Sequence, residues 1–339
     1  MAYARSYDGP GFGPDLAALF RHQLTACALQ PGELLVAITD SAWMPAYAAA
    51  CTSAAETLGV ETMQAGFGWN RPPDPRALNA VCEAADLIVY MTRHTLHYRP
   101  EIGAALARGA RVLCCMEPPH VLDRLRFDPA VREAAITGAA RLDAARRIRI
   151  TSLAGTDLVM DKTGRPGLAN YGAADVAGHL DFWGLGAVQA AQREGTTEGV
   201  LVLDSGDCNF SLARHVDRPV RITFEKGRAT EIEGGLDAML IRESLCGAGD
   251  EGAWNAGHIA WGLDPRALWT QPIAQTPDTG GGGADIESFR GTVQVQLGSN
   301  DDVAFGGSNR SRAHLGLCLR GASLYLDDDP VVLEGDLHA

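Results

Sequence analysis

The sequence predicts an α/β protein, with an N-terminal doubly wound parallel-sheet domain followed by a β-rich, α+β domain. Three observations predict it. Over residues 1–147 short apolar strand-type runs alternate with single helices, an order that implies parallel pairing with helical crossovers. Over 148–339 the texture changes to short strands broken by Gly, Asp and Asn turns. The 339 residues are enough for two domains, each burying its own core.

Pro14 suits the first turn of a helix that runs on through LAALFRHQLTACAL. PGE breaks it, and ELLVAITD is a buried-type strand. MPAYAAACTSAAETLG is an amphipathic helix closed by Gly59, and VETMQAGF a second strand. Asp74-Pro75 opens the helix DPRALNAVCEAA, DLIVYMT is a third strand, PEIGAALARGA a helix and RVLCCMEPP a fourth strand. In the second half, IRITSLAGTDLVMD, GVLVLDSGD and TVQVQLGS are strand material, and DAMLIRESL is a helix. PVRITFEKGRATEIEG and RGASLYLDDDPVVLEGD read as hairpins, with turns at Lys226-Gly227 and Asp328-Asp329. The glycine run at 280–283 reads as a loop, because strand pattern resumes on both sides.

A net charge of −13 argues against nucleic acid as a partner, since a phosphate backbone is bound by clustered Lys and Arg. No apolar run approaches the ~20 residues of a membrane helix. The N-terminus has no apolar segment of the secretory kind, and none of the eight cysteines forms a CxxC. Reduced, buried thiols in a cytoplasmic protein are expected. No GxGxxG follows the first strand, and there is no P-loop, GxSxG or HExxH.

Chemistry therefore rests on scattered side chains. His94 and His97 follow the third strand's carboxyl end, where open α/β sheets handle ligands; they read as acid/base groups or as a solvated loop. His179 lies in GHLDFWG. His258 and His314 each stand beside a short apolar strand in the β-rich half, where a ligand is rigidly held. Taken singly, each also reads as a hydrogen-bonded structural histidine. Two residues beyond His314, on the same strand face, stands Gly316, at the spacing by which a strand aims two ligands at one ion. Asp204-Ser205-Gly206-Asp207 reads first as a tight turn.

GHIAWGLDPRALWT and SLYLDDDPVVLEGD, with SLAGTDL, EPPHVLDRL, NYGAADVAGHLDFW, EGVLVLDSGD and RITFEKG before them, resemble in order the 2,5-dihydroxypyridine 5,6-dioxygenase family, which is similar in fold to the M29 metallo-aminopeptidases. The resemblance covers most of the chain from about residue 85 onward. It implies Fe(II) held by two histidines, matched by His258 and His314, and an aspartate whose place is taken here by Gly316. Three cis positions would remain for a chelating substrate and dioxygen. It also implies a proton-moving histidine at His97, with substrate contacts around His179, Phe182, Trp183, Gln296 and Gly316. Phe182 and Gln296 depart from the family's residues, so the ring bound differs from 2,5-dihydroxypyridine in its contacts.

The expected activity is oxygenation of a small hydroxylated N-heteroaromatic or phenolic compound. A non-redox hydrolase or ring-modifying enzyme on the same scaffold is the alternative. Asp301, Asp302, water or an anion could stand in for the missing carboxylate. A homo-oligomer is expected, because both related families assemble.

Overall fold

A computed structural model of the chain describes residues 15–40, 45–68, 70–270, 283–302 and 304–338. The first half is built as expected. Its elements are α1 (Leu16–Ala26), β1 (Leu34–Asp40), α2 (Pro45–Thr57), β2 (Glu61–Phe67), α3 (Pro75–Glu83), β3 (Leu87–Met91), α4 (Pro100–Ala107) and β4 (Arg111–Cys114), followed by two helices, α5 (Pro119–Arg124) and α6 (Pro129–Ala144). Asp15 caps α1 by accepting from the Ala18 N–H at 3.1 Å, and Asp74 caps α3 ahead of Pro75.

The four strands pair in parallel in the order β2-β1-β3-β4. Because strand side chains alternate, Leu35, Ala37, Leu87 and Val89 pack with Phe20, Tyr47 and Cys51 on one face. Val36, Ile38, Ile88 and Tyr90 pack with Leu78, Cys82 and Ile102 on the other. Helices on both faces are what a doubly wound layer requires. A fifth strand, Leu180–Phe182, joins β4 in parallel from beyond residue 147. The boundary between the halves is thus crossed by one strand, and that strand brings Phe182 to the carboxyl ends of the sheet.

The remaining chain forms two antiparallel sheets of eight and seven strands. The eight-stranded sheet holds both expected hairpins. Lys226 and Gly227 have φ of 49° and 78°, the paired left-handed residues of a tight hairpin turn. The second turn lies one residue earlier than the sequence suggests. Leu326 pairs with Asp329, and the left-handed residues are Asp327 and Asp328. The Asp327 carboxylate fixes this register by accepting the Arg146 and Arg147 N–H groups at 3.0 and 2.8 Å. The seven-stranded sheet runs, edge to edge, Arg214–His215, Cys208–Asn209, His314–Leu319, Val293–Gly298, Ala256–Gly262, Gly186–Ala191 and Leu168–Tyr171.

All eight cysteines are free, and all but Cys246 are buried. No helix among the described residues is long and apolar enough to cross a membrane. Pro14 and residues 280–282 of the glycine run lie outside the described residues.

One glycine is fixed by close approach. Gly291 has φ +83°, and a Cβ there would lie 1.7 Å from the Gly335 carbonyl oxygen. Gly291→Ala is expected to cost upwards of about 2 kcal/mol, from left-handed strain plus displaced backbone. Chemical denaturation checks this, and an unchanged midpoint would contradict it.

Candidate active site

The seven-stranded sheet sets out one row of side chains. His258 pairs with Gln296, and Gln296 with Gly316, on three adjacent strands. Directly paired residues share a face, and His314, two residues before Gly316, shares it too. The His258 and His314 rings lie 5.3 Å apart between centroids, tilted 44°. Phe305 stacks on His258 at 4.4 Å and 26°.

The parallel sheet supplies the opposite wall. The chain leaving β3 carries His97, whose Nδ1 lies 2.8 Å from the Tyr90 hydroxyl. Phe182 meets the His97 ring edge-on at 5.0 Å. Tyr98 follows, with its hydroxyl 3.1 Å from His314 Nδ1, and so ties the two walls together. Between the walls lies a cavity of about 910 Å³, in the size range of small-molecule sites. His97, His179, Phe182, Trp183, His258, Gln296 and His314 all line it. His94 is not among the lining residues; the Thr92 hydroxyl donates to its carbonyl at 2.7 Å. Trp183 is 1% exposed and packs edge-to-face on Phe20 at 5.0 Å, so most of its surface serves the core.

Burial sets the protonation. Enclosure, helped by His314 nearby, lowers His97 to about 3. The same two causes hold His258 well below the usual histidine range. Burial, with Cys114 next, raises the Tyr90 phenol far above its ordinary value. Tyr90 therefore keeps its proton, and when it donates to Nδ1 the His97 ring proton sits on Nε2. His258 Nδ1 is buried and has no hydrogen-bond partner among the described residues, nor has Gln296 Oε1. Unpartnered buried polar atoms on a cavity wall are costly unless a bound molecule satisfies them.

The far end of the cavity is a polar network around His179. The Tyr171 hydroxyl donates to Asp175 at 2.6 Å and stands 3.2 Å from His179 Nδ1. Arg132 pairs with Asp175 at 2.8 Å. His179 Nε2 lies 3.9 Å from Asp181, which is fully buried and raised to about 6, chiefly by that burial.

Three lining residues escape sequence reasoning. Glu287 is raised to about 7 by burial alone. Glu117 is raised to about 8, burial being the largest cause. Glu287 sits in a segment with no motif to mark it, and Glu117 opens EPPHVLDRL, where the resemblance assigns it no role. Phe210 opens the short helical turn Phe210–Leu212 just after the two-residue strand Cys208–Asn209, and only the fold brings it to the cavity that His314 lines. Glu117 carries a pH prediction. Its folded-state value lies above the ordinary 4.5, so its contribution to stability is full below 4.5 and is lost as pH rises through about 8. Glu117→Gln should flatten the decline in melting temperature between those values. A decline as steep as the parent's would contradict this assignment.

The residues fit only part of the expected iron centre. His258 and His314 face one cavity, as two ligands must. Among the described residues, however, no third His, Cys, Asp or Glu completes a group able to hold a metal ion. Asp301 is paired with Arg310 at 3.2 Å. Asp302 lines the cavity with its carboxylate accepting from the Ala304 N–H at 2.8 Å, and burial raises it. At Gly316 a Cβ would lie 1.7 Å from Phe210 Cε1. The Cβ position is filled by a phenyl ring, so no side chain extends from residue 316 while Phe210 keeps its place. The three-ligand iron centre does not fit these residues.

Fold and site define the class: an α/β scaffold shared with metallo-aminopeptidases, carrying a histidine-lined aromatic pocket at the carboxyl ends of its parallel sheet. A family model described as 2,5-dihydroxypyridine 5,6-dioxygenase matches residues 15–339, and the chain belongs to that family of oxidoreductases. It is 34% identical over 263 residues to the 2,5-dihydroxypyridine 5,6-dioxygenase of Pseudomonas putida, covering 78% of this chain and 74% of that protein. The structure of the 2,5-dihydroxypyridine dioxygenase from Pseudomonas putida KT2440 superposes with a TM-score of 0.88 at 28% identity, over 96% of this chain and 97% of the other. AmpT from Thermus thermophilus superposes at 0.66 and 15% identity, over 96% and 99%, and shares the fold.

Proposed function

We propose that this cavity oxygenates a small hydroxylated N-heteroaromatic or phenolic ring, with dioxygen as co-substrate. The observation that carries the reading is the convergence of His97, His258 and His314 on one aromatic-lined cavity, in a chain of this family. The ring sits among Phe182, Phe210 and Phe305, whose faces and edges exclude water and orient an aromatic plane. Its hydroxyl meets the neutral imidazoles of His258 and His314. His97, with its Nδ1 held by Tyr90, presents Nε2–H to the cavity and moves a proton there. A metal held at this site would bring dioxygen and a ring oxygen together; the chain offers it two imidazoles.

The volume exceeds what one bare ring fills, and the His179–Tyr171 end suits a polar ring substituent. Oxygen uptake tests the reading against hydroxypyridines and phenols, each with and without a ring carboxylate. Uptake stoichiometric with loss of at least one ring compound is the expected result. Ring modification or hydrolysis without oxygen uptake would instead support the non-redox alternative and sink this one.

A further inference from the structure

We propose that Phe210 and Gly316 form a matched pair that has displaced the third metal-ligating side chain, leaving a cavity that holds a divalent cation only weakly, through two histidines. The inference goes beyond the substrate reading above and is tested without any substrate.

The pair is fixed from both sides. A Cβ on Gly316 would lie 1.7, 2.1 and 2.6 Å from Phe210 Cε1, Cζ and Cδ1. These are ring atoms of a packed side chain, not the far end of a flexible one. Phe210 is 7% exposed and clusters with Cys208, Trp269, Ile286 and Cys318. Swinging it away would disturb that cluster and open a void.

Its backbone is clipped to the same strand. Cys208 and Asn209 pair with Cys318 and Leu317. The Ser211 hydroxyl donates to the His314 carbonyl at 3.1 Å and accepts the Gly316 N–H at 2.8 Å. The Asn209 side chain accepts from the Leu212 N–H at 3.1 Å, and Ala213 closes the turn at φ 50°. The turn that carries the ring is therefore hydrogen-bonded to the residue before Gly316's neighbour and to Gly316 itself.

Charge follows from this packing. A divalent cation between His258 and His314 would meet neutral imidazoles and a phenyl edge. With no carboxylate grouped with the two histidines among the described residues, the ion keeps most of its desolvation cost. An aspartate at 316 would supply the missing charge on the His314 face, but only once the ring is gone.

The experiment is an anaerobic titration with ferrous iron alone, alongside thermal melts. Four proteins are compared: the parent, Phe210→Ala, Gly316→Asp, and Phe210→Ala with Gly316→Asp. The combined variant should bind one ion per chain at least about 100-fold more tightly than the parent, beyond what outer-shell groups contribute. Adding His314→Ala should abolish that gain. Gly316→Asp alone should melt lower and gain far less.

A melt series keeps the proposal testable should the combined variant fail to fold. Gly316→Ala should lower the melting temperature much more in the parent than in Phe210→Ala, because the two sites are coupled. Two results would overturn the proposal. One is a parent that binds ferrous iron as tightly as the combined variant. The other is an equal cost of Gly316→Ala in both backgrounds.

Discussion

Alanine at His314 is expected to lower turnover by about 10³-fold, within the range removed with a positioned acid–base group, and to leave the fold intact. The side chain is exposed to the cavity and covers little of the core, so the melting temperature should stay close to the parent's. Its Nδ1 lies 3.1 Å from the Tyr98 hydroxyl. On the proposed reading, loss of the imidazole removes one of the two nitrogens that meet the substrate hydroxyl, and it unties the two cavity walls. Steady-state kinetics with calorimetric melts read both effects. Activity within tenfold of the parent would place the chemistry elsewhere in the cavity.

The second large effect belongs to His97. His97→Ala should lower turnover by about 10²–10³-fold with a smaller change in KM, because the group moves a proton and does not anchor the ring. Tyr90→Phe should lower turnover less, by about tenfold. It removes the hydroxyl that fixes the His97 tautomer but leaves the imidazole in place. Equal losses in the two variants would contradict this division, because the His97 imidazole would then contribute nothing beyond the tautomer that Tyr90 fixes.

Much of this was legible in the sequence, for physical reasons that differ along the chain. Three of the four parallel strands, β1, β3 and β4, declared themselves because both faces are buried, and buried strands read as unbroken apolar runs, whereas the edge strand β2 is only partly buried. His97 was legible from its place after β3, where the sheet's geometry puts ligands. His258 and His314 were legible as strand residues, and the register that unites them needed the fold. The strand Leu180–Phe182 was not legible, since three residues carry no period. The second hairpin slipped by one because three aspartates in a row offer several turns, and only the bonds to Arg146 and Arg147 choose among them.

Gly316 was visible as a missing carboxylate; the ring that fills its place was not. Phe210 lies far away in sequence, and an isolated Phe in LVLDSGDCNFSL looks like any core residue. Its meaning arises only where the two strands pair. The sequence therefore left water, an anion or a nearby aspartate as substitutes, and it gave no sign that a phenyl ring occupies the position a Cβ at 316 would take.

The central claim, that this histidine-lined cavity incorporates dioxygen into an aromatic ring, is tested most directly by isotope labelling. The best substrate from the oxygen-uptake panel is turned over under ¹⁸O₂ in ordinary water, and the product is examined by mass spectrometry, with His314→Ala in parallel. The account predicts a product carrying both labelled atoms, formed by the parent and suppressed in the variant. A product without label, or one whose new oxygen comes from water, would contradict it.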